Sequence, residues 1–338
     1  MDNATKLKQM AFIGRICRDN RWTSKMALKV GKKQRGTGYD ESCGGPAAIA
    51  AAVAGHFIKQ TIKTKKPIFI GAIGDDYSGM FVTDQLNKYG VNTDFVTKCK
   101  GVKTSNSAVL VSTDDGERTI EGYQDSRLVI GDINNLEASV IEFDGQDLKA
   151  SLEAIRLNPN AITILDAGRA TDDVIELAKR VNYVICSEDF AEDYVKKVTN
   201  RKKFKLNSSE AISYAYKIMQ RDFLNDIVIT LGKNGCVYKN NDDIILVPSS
   251  DDKAIDSTGA GDIFHGAFTY AIASDFEKHD ALIFAMVVSG LSVTKIGGIT
   301  SIPDTDEVNQ AWFIYNDNPN KESTYLYTKI KEKRKNRG

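Results

Sequence analysis

The stretch DSTGAGD at 256–262 places three small residues and a carboxylate just ahead of the apolar run IFHGAFTYAIA. Within it Ala260, Ile263, Phe264, Ala267, Phe268, Ala271 and Ile272 recur at i, i+3, i+4 and i+7, the stripe of a helix packed on a sheet. Asp262, His265 and Thr269 fall on the other side. A helix N-terminus leaves amide N–H groups unpaired and carries partial positive charge, so it attracts anions such as phosphate. Gly259, Ala260 and Gly261 let a charged ligand approach that backbone closely. Taken alone, Asp262 does no more than complement the helix dipole. Beside an anion cradle, however, a carboxylate is what phosphoryl transfer needs, since catalysis there rests on positioning and charge neutralisation.

Such a cradle has to be held by a framework, and the rest of the chain supplies one. Strand-like runs at 10–14, 66–74, 161–168, 182–187 and 226–232 alternate with helical patterns at 45–60, 78–89, 149–156, 172–180, 188–198, 208–223, 259–274 and 279–295. This alternation predicts a mostly parallel sheet with helices on both faces, whose ligands collect at the carboxyl ends of the strands. Two segments, 15–42 and 95–127, carry alternating residues and turn signals such as Asp115-Gly116 but no helical period. They read as antiparallel strands from separated parts of the chain, forming a small sheet over the main one. With no repeat or low-complexity linker, residues 1–328 are expected to form a single α/β domain, followed by a basic, frayed tail at 329–338.

Composition narrows the partners. The 338 residues are 42% apolar, enough for a sizeable core, and carry 45 basic and 45 acidic side chains. No global field draws the molecule to nucleic acid or an anionic membrane, so an anion site must be local. Five cysteines, Cys17, Cys43, Cys99, Cys186 and Cys236, are odd in number and contain no CxxC pair, against both a disulfide framework and a zinc site. The N-terminal apolar stretch is too short for a signal peptide and no run reaches a spanning length, so a cytoplasmic location is expected.

The motif DSTGAGDIFHGAF at 256–268 resembles the C-terminal signature of the ribokinase-like (PfkB) carbohydrate kinases. GRICRD (14–19), CGGPAAIAA (43–51), IGAIGDDYSG (70–79), SAVLVSTDDGERTI (107–120), LDAGR (165–169), VITLGKNGCVY (228–238) and GGITSIP (297–303) follow in that family's order. The resemblance implies a three-layer α/β sandwich with a mostly parallel sheet and a β-lid that closes over a sugar and pairs two subunits as a homodimer. It implies ATP and Mg²⁺ as cofactors, with K⁺ as a further candidate. By the same resemblance Asp262 is the general base, and Gly259, Ala260 and Gly261 form the anion hole. Asp19, Gly44 and Gly45 bind sugar hydroxyls, and Arg169 binds a phosphate. Gly232 and Gly235 border the nucleotide, as do Asp256 and Thr258, Asp256 also matching a position beside a monovalent cation.

The pattern departs from the family at two places. The sugar-contacting Asn of the Gly-Gly helix is replaced by Ile49, and the Asn-x-x-Glu motif that organises Mg²⁺ becomes Ser187 and Phe190, leaving Glu188 or Glu192 to compensate and the metal ligands unassigned. Ser187 together with FHGAF resembles ketohexokinase-like and sulfofructose kinase-like branches, which implies a ketose-type substrate. His265, Arg118 and Arg127 are further candidates for ligand contact. A dehydrogenase would need GxGxxG between strand and helix, and GAIGDDYSG at 71–79 has the wrong spacing; the Walker motif GxxxxGK[ST] is absent. Two alternatives stay open: a nucleoside kinase using Trp22, Tyr39 and Tyr123 around a base, and a non-catalytic binding relative, in which Asp262 would be expected to be missing.

Overall fold

A computed structural model describes residues 7–316 apart from 27–28, 30, 62–64, 113–117, 242 and 250–252, so the basic tail lies outside the described residues. Strand β1 (Met10–Ile13) leads into β2 (Cys17–Ser24) and β3 (Gly38–Gly44) before helix α1 (Pro46–Thr61). Then come β4 (Ile68–Gly74), α2 (Tyr77–Lys88), β5 (Asn92–Cys99), β6 (Asn106–Ser112) and β7 (Arg118–Tyr123). The second half alternates through β8 (Val140–Phe143), α3 (Leu148–Leu157), β9 (Ile162–Ala167), α4 (Asp172–Ala178), β10 (Tyr183–Ser187), α5 (Glu188–Thr199), α6 (Ser209–Asp222) and β11 (Asp226–Thr230). The hairpin β12 (Cys236–Asn240) and β13 (Asp243–Val247) precedes α7 (Ala260–Ala273), α8 (Lys278–Ser292) and α9 (Thr305–Asn316).

Nine strands form one sheet in the order β13-β12-β11-β10-β9-β8-β1-β4-β5, parallel from β11 to β5, with β12 antiparallel to both its neighbours. Alternation along the strands divides the apolar side chains between two cores. Met10 and Phe12 of β1 face α1, α2, α7 and α8, whereas Ala11 and Ile13 face α3 to α6. From β1 the chain runs outward to β4 and β5, then returns to β8 on β1's other flank. That reversal makes the crevice beyond the carboxyl ends of β1 and β8 the place where a doubly wound sheet receives ligands.

The small sheet has the order β3-β2-β6-β7. Its strands do come from separated segments, but β2 and β6 pair in parallel, Arg18 opposite Asn106 through Ser24 opposite Ser112. The all-antiparallel expectation is corrected there, because each strand leaves the main sheet in the same direction. Residues 95–99 of the second irregular segment belong to β5, the edge of the large sheet, and not to the lid. Side chains alternate across the lid, so Asp19, Arg21, Val109, Arg118 and Ile120 share one face, and Trp22, Tyr39, Leu110 and Tyr123 share the other. No helix among the described residues is long and apolar enough to cross a membrane.

Candidate functional site

Gly259 is the N-cap of α7 at φ 71°, a left-handed conformation that a side chain would strain, and no side chain caps the helix. A Cβ there would also press on Gly298 and on the Ile49 side chain. The amide of Ala260 donates to the Ser257 carbonyl at 3.3 Å, whereas Gly261 and Asp262 lie in the first turn, where amides lack intrahelical acceptors. Ser289 of α8 donates to the Ala260 carbonyl at 2.9 Å and steadies the turn.

Asp262 is half-buried, and its carboxyl is pushed up to about 7, first by burial and then by Asp166, with His265 acting the other way. Asp166 is the penultimate residue of β9 and is itself raised above the ordinary carboxylate range by burial and by Asp144. His265 is buried, with both ring nitrogens facing protein acceptors. Its Nδ1 lies 2.7 Å from the Gly261 carbonyl, and its Nε2 lies 3.4 Å from the Ile185 carbonyl and 3.5 Å from Asp166. Burial lowers the His265 pKa and favours a neutral ring, whose single N–H serves only one of these acceptors.

On the lid side, Asp19 accepts from Cys17 Sγ at 3.3 Å, and burial raises its pKa. Its carboxylate lies so close to the backbone of Gly44 that a Cβ at 44 would overlap it; Gly45 follows at φ 103°, with the Arg15 carbonyl where a side chain would go. Asp19, Gly44 and Gly45 are therefore brought together, as the sequence predicts.

Two acidic residues of this region were not singled out from sequence. Asp144 follows β8 at the sheet's reversal point, accepts from the amides of Arg15 at 2.7 Å and Gln146 at 3.0 Å, and is raised by burial to about 6. Glu142, within β8, is wholly buried, and neither side-chain oxygen has a hydrogen-bond partner among the described residues. Burial, Asp166, Asp144 and Asp262 all push its pKa upward. The signal was present in VIEFDG at 140–145, where a charge interrupts a four-residue apolar run.

The other predicted positions separate into groups. Asp256 and Thr258 form one turn: Asp256 Oδ1 accepts from the Thr258 amide at 2.9 Å and its hydroxyl at 2.6 Å. From the lid, Arg118 donates to Thr258 Oγ1 at 3.1 Å and Ser257 Oγ at 3.4 Å. Arg127 instead pairs with Asp125. Gly232 opens the bend after β11, and Gly235 turns the chain into β12. Arg169 is 70% exposed and contacts Asp189 and Asp193 of α5, not Asp19 or the Gly44-Gly45 turn.

Ile49 is buried against Gly259 and Gly298 and offers no polar contact. Ser187 caps α5 through the Phe190 amide and donates to the Gly168 carbonyl at 3.0 Å. Glu192 is occupied by Lys205 at 2.6 Å and the Leu206 amide at 3.0 Å, which gives it a structural task and leaves Glu188 as the freer carboxylate of that pair. Among the described residues no group of three or more His, Cys, Asp or Glu side chains could hold a metal ion.

A doubly wound sheet, an uncapped helix start beside Asp262, and a lid sheet fit a phosphotransferase of the α/β class. The model of the pfkB carbohydrate kinase family matches residues 8–305, and the chain belongs to that family. It is an ATP-dependent sugar kinase, a phosphotransferase with an alcohol group as acceptor. Ribokinase of Schizosaccharomyces pombe (strain 972) is 29% identical over 289 residues, covering 80% of this chain and 87% of its own. Among solved structures, a putative ribokinase from Agrobacterium tumefaciens superposes with a TM-score of 0.80 at 21% identity, covering 92% of this chain and 99% of its own. Arabidopsis thaliana ribokinase complexed with ribose and ATP gives 0.75 at 20% identity, covering 90% and 98%.

Proposed function

We propose that the chain transfers the γ-phosphoryl group of ATP to a primary hydroxyl of a ketose-type sugar. The observation that carries this reading is the placement of Asp262, with a carboxyl poised at about 7, in the same helical turn as the uncapped amides after Gly259. Asp262 accepts the hydroxyl proton as the oxygen attacks the γ-phosphorus, and the bond from that phosphorus to the bridging oxygen of ADP breaks. The amides of the first turn hold the developing charge, and the lid excludes water. Mg²⁺, when bound, would neutralise phosphate charge; of the two candidate carboxylates Glu188 would support it, since Glu192 is held by Lys205 and the Leu206 amide.

Sugar recognition falls to Asp19, the Gly44-Gly45 turn and Asp144, with Ile120 on the inner lid face. Ile49 supports a preference away from ribose-type contacts, because it supplies packing where a polar side chain would supply a hydrogen bond. The nucleoside alternative loses its main support, since Trp22, Tyr39 and Tyr123 lie on the lid face opposite Asp19 and Arg21. Those three aromatics, all at least 40% exposed, instead favour a homodimer formed through the lids. Five free thiols, four of them buried, suit a reducing compartment such as the cytoplasm.

The deciding experiment measures ATP consumption with Mg²⁺ across ketoses, aldoses, sulfonated and phosphorylated sugars, and nucleosides. A selective response to one ketose is expected; selective turnover of a nucleoside would overturn the substrate assignment.

A further inference from the structure

The resemblance leads one to look for a monovalent cation at Asp256, and the side chain does not fit that role. A carboxylate offers about four acceptor positions. All are taken: Oδ1 by the amide and hydroxyl of Thr258, and Oδ2 by the Gly297 amide at 2.9 Å and the Arg21 guanidinium at 3.2 Å. Arg21 and Asp256 are 14% and 12% exposed, so the pair is largely withdrawn from solvent.

Arg21 does not belong to the loop it neutralises. It stands on β2 of the lid, where Nε and one terminal nitrogen both donate to Asp40 Oδ2 of β3, at 2.9 and 2.7 Å. One guanidinium thus joins a lid carboxylate to the carboxylate that shapes the turn before the anion hole. The planar fork of arginine serves both partners at once, which a hydrated point charge could not do in the same geometry.

We propose that Arg21 is a built-in monocation. Lid closure delivers to Asp256 the positive charge that would otherwise come from dissolved K⁺, so the anion-hole turn is organised by the protein itself. Arg21 acts here as a positioning residue, through Asp256 and Thr258, and its function is tied to the closed lid. The inference rests on the kinase reading only in requiring a nucleotide site.

The test uses the full chain and needs no sugar. Calorimetric titration with ATP and Mg²⁺ is run in KCl and in tetramethylammonium chloride at equal ionic strength. The wild type is expected to bind within about twofold in the two salts. Arg21→Gln is expected to weaken by about tenfold in tetramethylammonium and to recover most of that in K⁺, whereas Arg21→Lys, which keeps the charge but not the fork, is expected to lose less than Arg21→Gln and to respond little to K⁺. A merely structural role would leave Arg21→Gln equally weak in both salts, and that result overturns the proposal. So does a wild type that binds about tenfold better in K⁺, a comparison that does not depend on any variant folding. Absence of ATP binding in both salts would overturn the nucleotide site itself, a distinct failure.

Discussion

The floor of the site and its lid handle charge in opposite ways. Beneath the ligand crevice, Glu142, Asp144, Asp166 and Asp262 crowd together with raised pKa values, and Glu142 has no hydrogen-bond partner among the described residues. Above it, Arg21 meets two carboxylates, Arg18 meets Glu41, and Arg118 rests on two hydroxyls. Buried charge is tolerated when paired and hydrogen-bonded, and otherwise neutralises by shifting its pKa. The lid's paired charges therefore fix geometry, Asp19 with its raised pKa excepted, while burial of the floor's carboxyls favours their protonated forms.

The contrast breaks most sharply at Asp262. Asp262→Asn is expected to lower kcat by about 10²–10⁴-fold, with ATP affinity nearly unchanged in calorimetry. Near-normal turnover would remove Asp262 as the base. Asp19→Ala should raise the sugar KM by roughly 10–100-fold, the worth of hydrogen bonds to a charged group, and leave ATP binding intact; equal losses for both ligands would count against a sugar contact.

Glu142 tests the cost of the floor. Its folded pKa lies above the unfolded value, so the native state holds the extra proton between the two, and stability falls as pH rises through that window. Glu142→Gln should therefore stabilise the fold by about 1–3 kcal/mol at pH 8 in denaturant melts, with the gain shrinking toward pH 5. A gain independent of pH would mean that volume, not charge, was relieved. A subtler effect belongs to Asp166. Wild-type kcat is expected to decline as pH falls through about 7 while Asp262 takes up its proton, and Asp166→Asn should move that limb to lower pH only slightly, because Asp166, itself raised to about 8, is mostly protonated in that range. Smallest of all, Arg169→Ala should change stability by about 0.5 kcal/mol or less, as befits an exposed ion pair.

Much of the framework was legible because its strands are apolar runs and its helices carry clear stripes. The anion-hole turn was legible because its residues are neighbours in sequence. Strand β8 escaped because Glu142 interrupts a run of only four residues, and β5 was assigned to the lid because an edge strand alternates as a lid strand does. Helix α9 and the β12–β13 hairpin were not delimited, the first for want of a strong apolar stripe. The convergence of the floor's carboxyls could not be read locally. Glu142, Asp144 and Asp166 converge on Asp262 only through the order β9-β8-β1, and Arg21 meets Asp256 across a separation of 235 residues.

Helices α1 and α7 touch almost backbone to backbone: a Cβ at Gly266 would run into the carbonyl and Cα of Ala50, and Ile49 abuts Gly259. One of these helices begins at the Gly44-Gly45 turn, the other at the anion hole. In the proposed reading the pair would act as a caliper whose jaws are the acceptor side and the phosphoryl side, its opening set by the small residues between them. Widening that contact from within the core would spread the jaws, so the distance proposed for phosphoryl transfer depends on the alanine-rich seam between the two helices.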